Sequence, residues 1–304
     1  MPSIVPRPSS SLLLALLLAS SACAQPTTPK PSAAGDDSAG ERRADSVVVR
    51  PTASPATGET PAGGIATDTL RLALGDTPVT VLVHTAPAPG GGRGAVDALS
   101  VHDDENTSVE AALDVIGRRG GRVVELRHTG ARLLAFRVAG ASFTVDPNRI
   151  FTDAGRRRTL AQHSRDTASA RAAVAAFADR LLALYTGTRP DPVVTLHNNT
   201  EGSYSAASYR ADLARDAAAV TLTGDPDDFY FVTGRALYDA LVPAGFAVVM
   251  QNDATATDDG SLSVWAAREG AAYVNVEAQH SHREAQTRML EALADVLASG
   301  AAGP

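Results

Sequence analysis

Short β-rich runs alternate with longer helical segments from about residue 67 onward, and this alternation constrains the fold more than any other feature. The predicted strands include a hairpin at 68–74 and 78–84 and a later run at 261–265, and the longest predicted helix covers about 168–184. Strands that alternate with helices predict an α/β fold. We expect a three-layer sandwich, with a mixed central sheet between two helical layers.

The first 66 residues lack this alternation and are predicted to be an export signal followed by a tether. Residues 12–19 read LLLALLLA, a run too short for a bilayer, which takes about 20 residues, but suited to a signal-peptide core. Small residues precede Cys23, as in a bacterial lipobox, although Ala22-Cys23-Ala24 also fits ordinary signal cleavage. We predict a lipoprotein-type signal peptide at 1–23, anchored through lipid on Cys23.

Residues 24–66 are rich in Pro, Thr and Ala and show no regular apolar spacing. Such a segment buries too little apolar surface to fold, so we predict a disordered linker and a folded domain at 67–304. The predicted location is the bacterial cell envelope, with the folded domain tethered to a membrane.

The charge balance excludes some classes of function. The chain has 27 basic and 34 acidic residues, a formal net charge of −7. A sequence-independent nucleic-acid binder needs a basic face to release counterions, so no nucleic-acid partner is expected. The single cysteine also excludes a disulfide within the chain.

Candidate metal ligands lie at the ends of predicted strands. His102 ends the apolar run 95–101, Glu105 follows three residues later, and His197 ends a second predicted strand at 193–196. Ligands of open α/β sheets bind at the carboxyl ends of the strands. Two histidines and one glutamate, with a fourth position left for water, form a known ligand set of catalytic zinc.

Four segments, in the same order along the chain, resemble the zinc carboxypeptidase and succinylglutamate desuccinylase/aspartoacylase superfamily. VHDDEN at 101–106 resembles its H-G-D-E type zinc motif, and VDPNRIF at 145–151 resembles its D-x-N-R-x-F segment. TLHNN at 195–199 is similar to its D-L-H-N segment, and YVNVE at 273–277 is similar to the late strand that ends in the catalytic glutamate. The resemblance implies the phosphorylase/hydrolase-like fold of the zinc carboxypeptidases, and Zn²⁺ as the cofactor.

The resemblance also implies a role for each matching residue. His102, Glu105 and His197 would bind zinc, and Asn148 and Arg149 would bind a substrate carboxylate, the arginine through two parallel hydrogen bonds. Glu277 would take a proton from the attacking water and give it to the leaving amine. The expected reaction is hydrolysis of an amide next to a free carboxylate, by a metallocarboxypeptidase that acts on peptides.

Two other functions stay open at this point. One is an N-acyl amino acid deacylase of the desuccinylase type, which performs the same chemistry on a smaller substrate. The other is a catalytically silent relative that binds peptides at the cell surface. The second alternative arises because no arginine stands a few residues before Asn148, and Arg137 is the nearest candidate for stabilising the oxyanion.

Several residues have open assignments. Asp103 and Thr195 replace the glycine and aspartate of the related motifs. The arginine run at 156–158 is predicted to be a solvated loop, and the acidic run at 225–228 a solvated turn. The tyrosine of the substrate-binding loop could be Tyr204, Tyr209 or Tyr230. His280 and His282 are the rival candidates for metal ligands.

Overall fold

The computed structural model describes residues 64–89, 95–187 and 192–301. The predicted signal peptide at 1–23, with Cys23, and residues 24–63 of the predicted linker lie outside these ranges. Within them, we find no helix whose length and apolar character would let it cross a membrane.

Eleven strands are present in the described residues, nine of them in one mixed sheet and two in a separate hairpin. In chain order the strands are β1 (Ala66–Leu74), β2 (Thr77–Ala86), β3 (Val96–Ser100), β4 (Gly121–Arg127), β5 (Leu134–Val138), β6 (Ala141–Val145), β7 (Val193–Asn199), β8 (Ala217–Thr221), β9 (Phe229–Thr233), β10 (Ala247–Gln251) and β11 (Tyr273–Gln279). In the large sheet they lie in the order β1-β2-β4-β3-β7-β11-β9-β10-β8, and β5 pairs with β6 in the hairpin.

Helices cover both faces of the sheet, which confirms the predicted three-layer sandwich. The helices are α1 (Asn106–Arg119), α2 (Asp153–His163), α3 (Ala168–Thr186), α4 (Arg235–Leu241), α5 (Leu262–Glu269) and α6 (Arg283–Ser299). One apolar core joins one face of the sheet to α1, α4 and α6, and the other core joins the opposite face to α2, α3, α5 and the β5–β6 hairpin.

The central strands β3, β7 and β11 run parallel to one another. Their carboxyl ends therefore meet at one edge of the sheet, as the sequence predicts for His102, His197 and Glu277. His102 lies two residues past β3, whereas His197 and Glu277 lie inside β7 and β11, which extend two residues beyond them.

Two local predictions are wrong. Residues 261–265 form the start of α5 instead of a strand, because Leu262 and Ala266, one helical turn apart, are both buried in the core. The arginine run at 156–158 lies in α2 instead of a loop. Thr152 caps this helix by accepting a hydrogen bond from the Gly155 N–H.

Tyr185 connects α3 to the two strands that precede the candidate ligands. Its buried hydroxyl accepts the Val194 N–H at 2.9 Å and lies 3.0 Å from the carbonyl oxygens of Asp97 and Val194. We expect Tyr185→Phe to lower the free energy of unfolding by about 1–3 kcal/mol, because it leaves buried main-chain groups unpaired. Urea denaturation measures the loss. Tyr230→Phe, which removes only a bond to the Met289 carbonyl in α6, is the control and should cost less.

Candidate active site

The metal-ligand candidates converge on one point at the carboxyl edge of the sheet. Glu277 pairs with His197 in the parallel ladder of β7 and β11, and β3 lies on the other side of β7. Glu105 occupies the N-cap position of α1. The Glu105 side chain makes no capping bond and is directed to the two histidines instead.

His102, Glu105 and His197 are all buried, with exposed fractions of 1%, 1% and 5%. One potential ligand atom from each lies within 4.8 Å of the other two. Glu105 Oε1 is 2.9 Å from His102 Nδ1, and Glu105 Oε2 is 2.8 Å from His197 Nδ1. Each imidazole therefore directs its Nδ1 toward the carboxylate.

One atom in this group tests whether a cation fits. His102 Nδ1 is buried and makes no hydrogen bond with any described residue, despite its closeness to Glu105. The other ring nitrogen, Nε2, donates to Asp146 Oδ1 at 2.9 Å, so Nδ1 is the nitrogen that faces the centre of the group. Two imidazole nitrogens and a carboxylate suit a divalent cation such as zinc, so the residues fit the implied metal.

The charges in the centre are strongly coupled. Burial alone would lower the pKa of His102, but the carboxylates of Glu105 and Asp146 outweigh it and raise the pKa to about 9. Burial lowers the pKa of His197, and Glu105 offsets only part of this effect. Burial also opposes ionisation of Glu105, but the two histidines hold its pKa well below the usual range. The side chains of the centre therefore form a paired network that keeps Glu105 ionised.

Asp146 is a site residue that the sequence did not single out. Its carboxylate accepts hydrogen bonds from His102 Nε2 and from the Asn148 N–H, at 2.9 and 2.8 Å, and its own N–H donates to Thr159 Oγ1. Because a ligating histidine is oriented by the partner of its second nitrogen, Asp146 fixes the imidazole of His102. The signal was available, since Asp146 opens the D-x-N-R segment that carries Asn148.

We expect Asp146→Asn to weaken zinc binding by about 10- to 100-fold, as is typical when such a partner is replaced. The amide keeps the shape of the carboxylate but removes the negative charge that orients His102. Competition with a fluorescent zinc chelator measures the affinity. Asp216→Asn is the matched control, because Asp216 lines the same cleft outside the metal group, and it should bind zinc within about twofold of the unmodified chain.

A cleft of about 680 Å³ opens onto this centre. Its lining includes Glu105, His197 and the other predicted site residues Asn148, Arg149 and Glu277. The structure therefore brings all six predicted site residues of the folded domain together, five in the cleft wall and His102 behind them. Their roles remain predictions.

Arg149 and Asn148 lie on a short 3-10 turn after Asp146. Asn148 Nδ2 is 3.3 Å from His197 Nε2, and Arg149 Nη1 is 3.4 Å from Asp259 Oδ2. About a third of the Arg149 side chain is exposed. Gly260 packs against the Arg149 carbonyl at a positive φ of 87°, where a side chain would collide with the turn. This contact holds the loop before α5 against the arginine.

Glu277 is buried, and its Oε2 accepts a hydrogen bond from Asn275 Nδ2 at 2.9 Å. Burial and the nearby charge of Glu105 raise the pKa of Glu277 to about 8. A buried carboxyl group beside a cleft, with its pKa shifted toward neutrality, has the properties of a general acid and base.

Arg132 is the second site residue that the sequence missed. It lies between β4 and β5, lines the cleft, and donates from Nη1 to Glu105 Oε1 at 2.6 Å. Asp103 positions the loop before it, by accepting the N–H groups of His128 and Gly130 at 2.6 and 2.7 Å. Arg137, the sequence candidate, lies on β5 and donates to the Gly140 carbonyl instead. No local pattern in the sequence marks Arg132.

The structure also separates the tyrosine candidates. Tyr204 and Tyr209 line the cleft and their hydroxyls are 2.6 Å apart. Burial raises the pKa of Tyr204 well above its usual value, and neighbouring Tyr209 and Glu277 add to the effect. Tyr230 lies in the core on the α6 side of the sheet and bonds to Met289, so it takes no part in the cleft.

Neither His280 nor His282 belongs to the group around His102 among the described residues. His280 lines the cleft, whereas His282 Nδ1 lies 3.1 Å from both carboxylate oxygens of Asp228. Asp225, Asp228 and His282 form a second cluster with atoms within 4.8 Å of one another. The prediction of a solvated acidic turn is wrong for Asp227 and Asp228, which are both buried.

No protein-family model matches this chain, and no curated protein matches it. Solved structures do. The chain is similar to succinylglutamate desuccinylase from Vibrio parahaemolyticus (14% identity, TM-score 0.40, covering 77% of this chain and 67% of that one). It is also similar to murein-tripeptide amidase from Escherichia coli O157 (20% identity, TM-score 0.39, covering 79% of this chain and 93% of that one). A third similar structure is metallo-carboxypeptidase from Burkholderia cenocepacia (12% identity, TM-score 0.36, covering 76% of this chain and 64% of that one).

The families that the four sequence motifs resemble are thus present among the similar structures. With TM-scores below 0.5 and identities of at most 20% for these three, the likeness supports no conclusion about activity.

Proposed function

We propose that this chain is a zinc-dependent hydrolase that cleaves an amide next to a free carboxylate, as a metallocarboxypeptidase acting on peptides. One observation carries the proposal. The buried group of His102, Glu105 and His197 opens onto the same cleft as the acid–base candidate Glu277 and the anion-binding candidate Arg149.

When bound, zinc supplies a Lewis acid that polarises a carbonyl group and lowers the pKa of water to about 7. The side chains supply the rest. Arg149 and Asn148 bind the carboxylate of the substrate and place its amide over the centre. Glu277 removes a proton from the attacking water and returns it to the nitrogen of the leaving amine. Arg132 stabilises the negative charge that develops on the carbonyl oxygen.

The test combines metal analysis with a substrate panel on the purified protein. We expect inductively coupled plasma mass spectrometry to find about one zinc per chain. Peptides with a free C-terminus should be cleaved, and the same peptides with an amidated C-terminus should not, because Arg149 then has no carboxylate to bind. Turnover of N-acyl amino acids alone would indicate the deacylase, and zinc-free protein that binds peptides without cleaving them would indicate the silent binder.

We also propose that the protein is exported and held on a membrane by lipid at Cys23. The support is the LLLALLLA run and the small residues before the cysteine. In a bacterial host, we expect the full chain to incorporate labelled fatty acid and to sediment with membranes. Cys23→Ser should abolish the labelling and move the protein to the soluble fraction. Equal labelling of both proteins would contradict the anchor.

A further inference from the structure

Three residues of the cleft carry a buried side-chain oxygen that accepts no hydrogen bond from any described residue, namely Asn148, Asn199 and Asp104. Asn148 adjoins Arg149 and is already proposed to bind the substrate carboxylate, which leaves Asn199 Oδ1 and Asp104 Oδ1 to be explained. Asn199 is only 6% exposed. A buried acceptor without a donor costs about 1–3 kcal/mol, so such atoms in a cleft indicate a ligand that supplies the donor.

The orientation of the Asn199 amide is fixed by its other end. Its Nδ2 donates to the Asp227 carbonyl at 2.7 Å, so a flip of the amide would replace this bond by a contact between two oxygens. The main chain is held as well, because the Asn199 carbonyl accepts the His280 N–H at 2.9 Å. Oδ1 is therefore an acceptor in a fixed position.

The β ladder gives the position of Asn199 relative to the reacting groups. Glu277 pairs with His197, and Gln279 pairs with Asn199 two residues further along. Side chains two residues apart share a face of the strand, and the offset is about 7 Å. One residue of extended peptide, about 3.5 Å, and a hydrogen bond of about 2.9 Å together span that offset. Asn199 is therefore at the right distance for an N–H one residue from the scissile carbonyl.

Arg149 and Asn199 are held by different loops, which favours the acyl side of the substrate for this N–H. Arg149, which would bind the carboxylate of the leaving residue, lies against Asp259 and the loop before α5. Asn199 instead contacts Asp227 and residue 280, which belong to other loops. The leaving residue and the acyl group then occupy different parts of the cleft, with Asn199 beside the acyl group.

We propose that Asn199 binds an N–H donor on the acyl residue of the substrate, so that the acyl group is an aminoacyl residue of a peptide. This rests on the proposed hydrolase function and goes further, because it selects peptides over N-acyl amino acids. A simple acyl chain has no N–H at this position. An acyl chain with a carboxylate would also bring like charge toward Asp104.

Three substrates that share one leaving amino acid, chosen from the C-terminal panel above, test the proposal. Their acyl groups are alanyl, N-acetylalanyl and propionyl. The alanyl group offers an ammonium group, the N-acetylalanyl group offers an amide N–H, and the propionyl group offers no donor. We expect the zinc-loaded protein to prefer alanyl or N-acetylalanyl over propionyl by about tenfold in kcat/KM. Preference for alanyl alone indicates an ammonium group, and preference for both indicates an amide N–H.

Asn199→Ala should abolish this preference while cleavage of the propionyl substrate and the zinc content stay within about twofold. The unchanged zinc content and propionyl cleavage of this variant guard against a folding defect. Thr200→Ala, a neighbouring cleft residue, is the matched control and should keep the preference.

Three results would overturn the proposal. Equal cleavage of the three substrates by the unmodified protein refutes the acyl-side N–H and leaves the hydrolase function standing. An equal loss on all three substrates in Asn199→Ala shows that Asn199 is structural only. If zinc-loaded protein cleaves none of the panel, the proposed function fails and this proposal fails with it.

Discussion

Glu277→Gln should keep its zinc and lose hydrolysis, with kcat reduced by about 10²- to 10⁴-fold, the usual contribution of a positioned acid–base group. Glutamine has the shape of glutamate and can keep the hydrogen-bonding contact with Asn275, but it cannot take a proton from water. Steady-state kinetics on a cleaved peptide, with metal analysis of the same sample, measures both expectations.

Glu125→Gln is the matched control for this variant. Glu125 is also a buried glutamate on a strand, but it contacts His84 and Arg127 and lies outside the cleft. It should retain zinc and turnover within about threefold. Full activity of Glu277→Gln would show that another group handles the proton and would remove Glu277 from the mechanism.

His102→Ala and His197→Ala should each lose the metal, and the hydrolysis with it. Each variant deletes one of three ligands, so the loss of zinc affinity should exceed the roughly 10- to 100-fold expected for an outer partner such as Asp146. A ligand that binds only the folded state raises the melting temperature, so added zinc should stabilise the unmodified chain and leave both variants unchanged. Differential scanning calorimetry with and without zinc measures this effect independently of activity.

His282→Ala separates the two candidate clusters. His282 belongs to the group with Asp225 and Asp228, so its loss should leave zinc binding at His102 and His197 intact. If His282→Ala loses the zinc and His102→Ala keeps it, the metal occupies the second cluster and the proposed function no longer stands.

The site residues that the sequence predicts are those that lie at or near the ends of predicted strands. His102 and Glu105 are three residues apart at the end of one strand, and His197 and Glu277 lie near the ends of two others. Strand ends are visible in the hydrophobic pattern, and parallel strands bring their ends to one edge. The convergence of these residues follows from topology, without any knowledge of side-chain packing.

Arg132 and Asp146 could not be found from the strand ends, and only Asp146 had another signal, its place in the D-x-N-R segment. Asp146 is 44 residues from His102, and the loop that carries Arg132 is positioned by the Asp103 carboxylate through main-chain bonds. Such contacts depend on how the β5–β6 hairpin packs, and no periodic signal reports them. The strand prediction at 261–265 failed for a related reason, because a short apolar run is compatible with a buried helix or a buried strand.

Two candidate reacting groups and the candidate groups for the leaving residue belong to different parts of the architecture. His197 and Glu277 are partners in a ladder at the centre of the sheet, whereas Arg149 and Asp259 lie on a turn and a loop. Loops tolerate substitution and insertion far better than a central ladder does. If the proposed function holds, changes in those connections can alter which leaving residue is accepted, while the ladder that carries His197 and Glu277 stays the same.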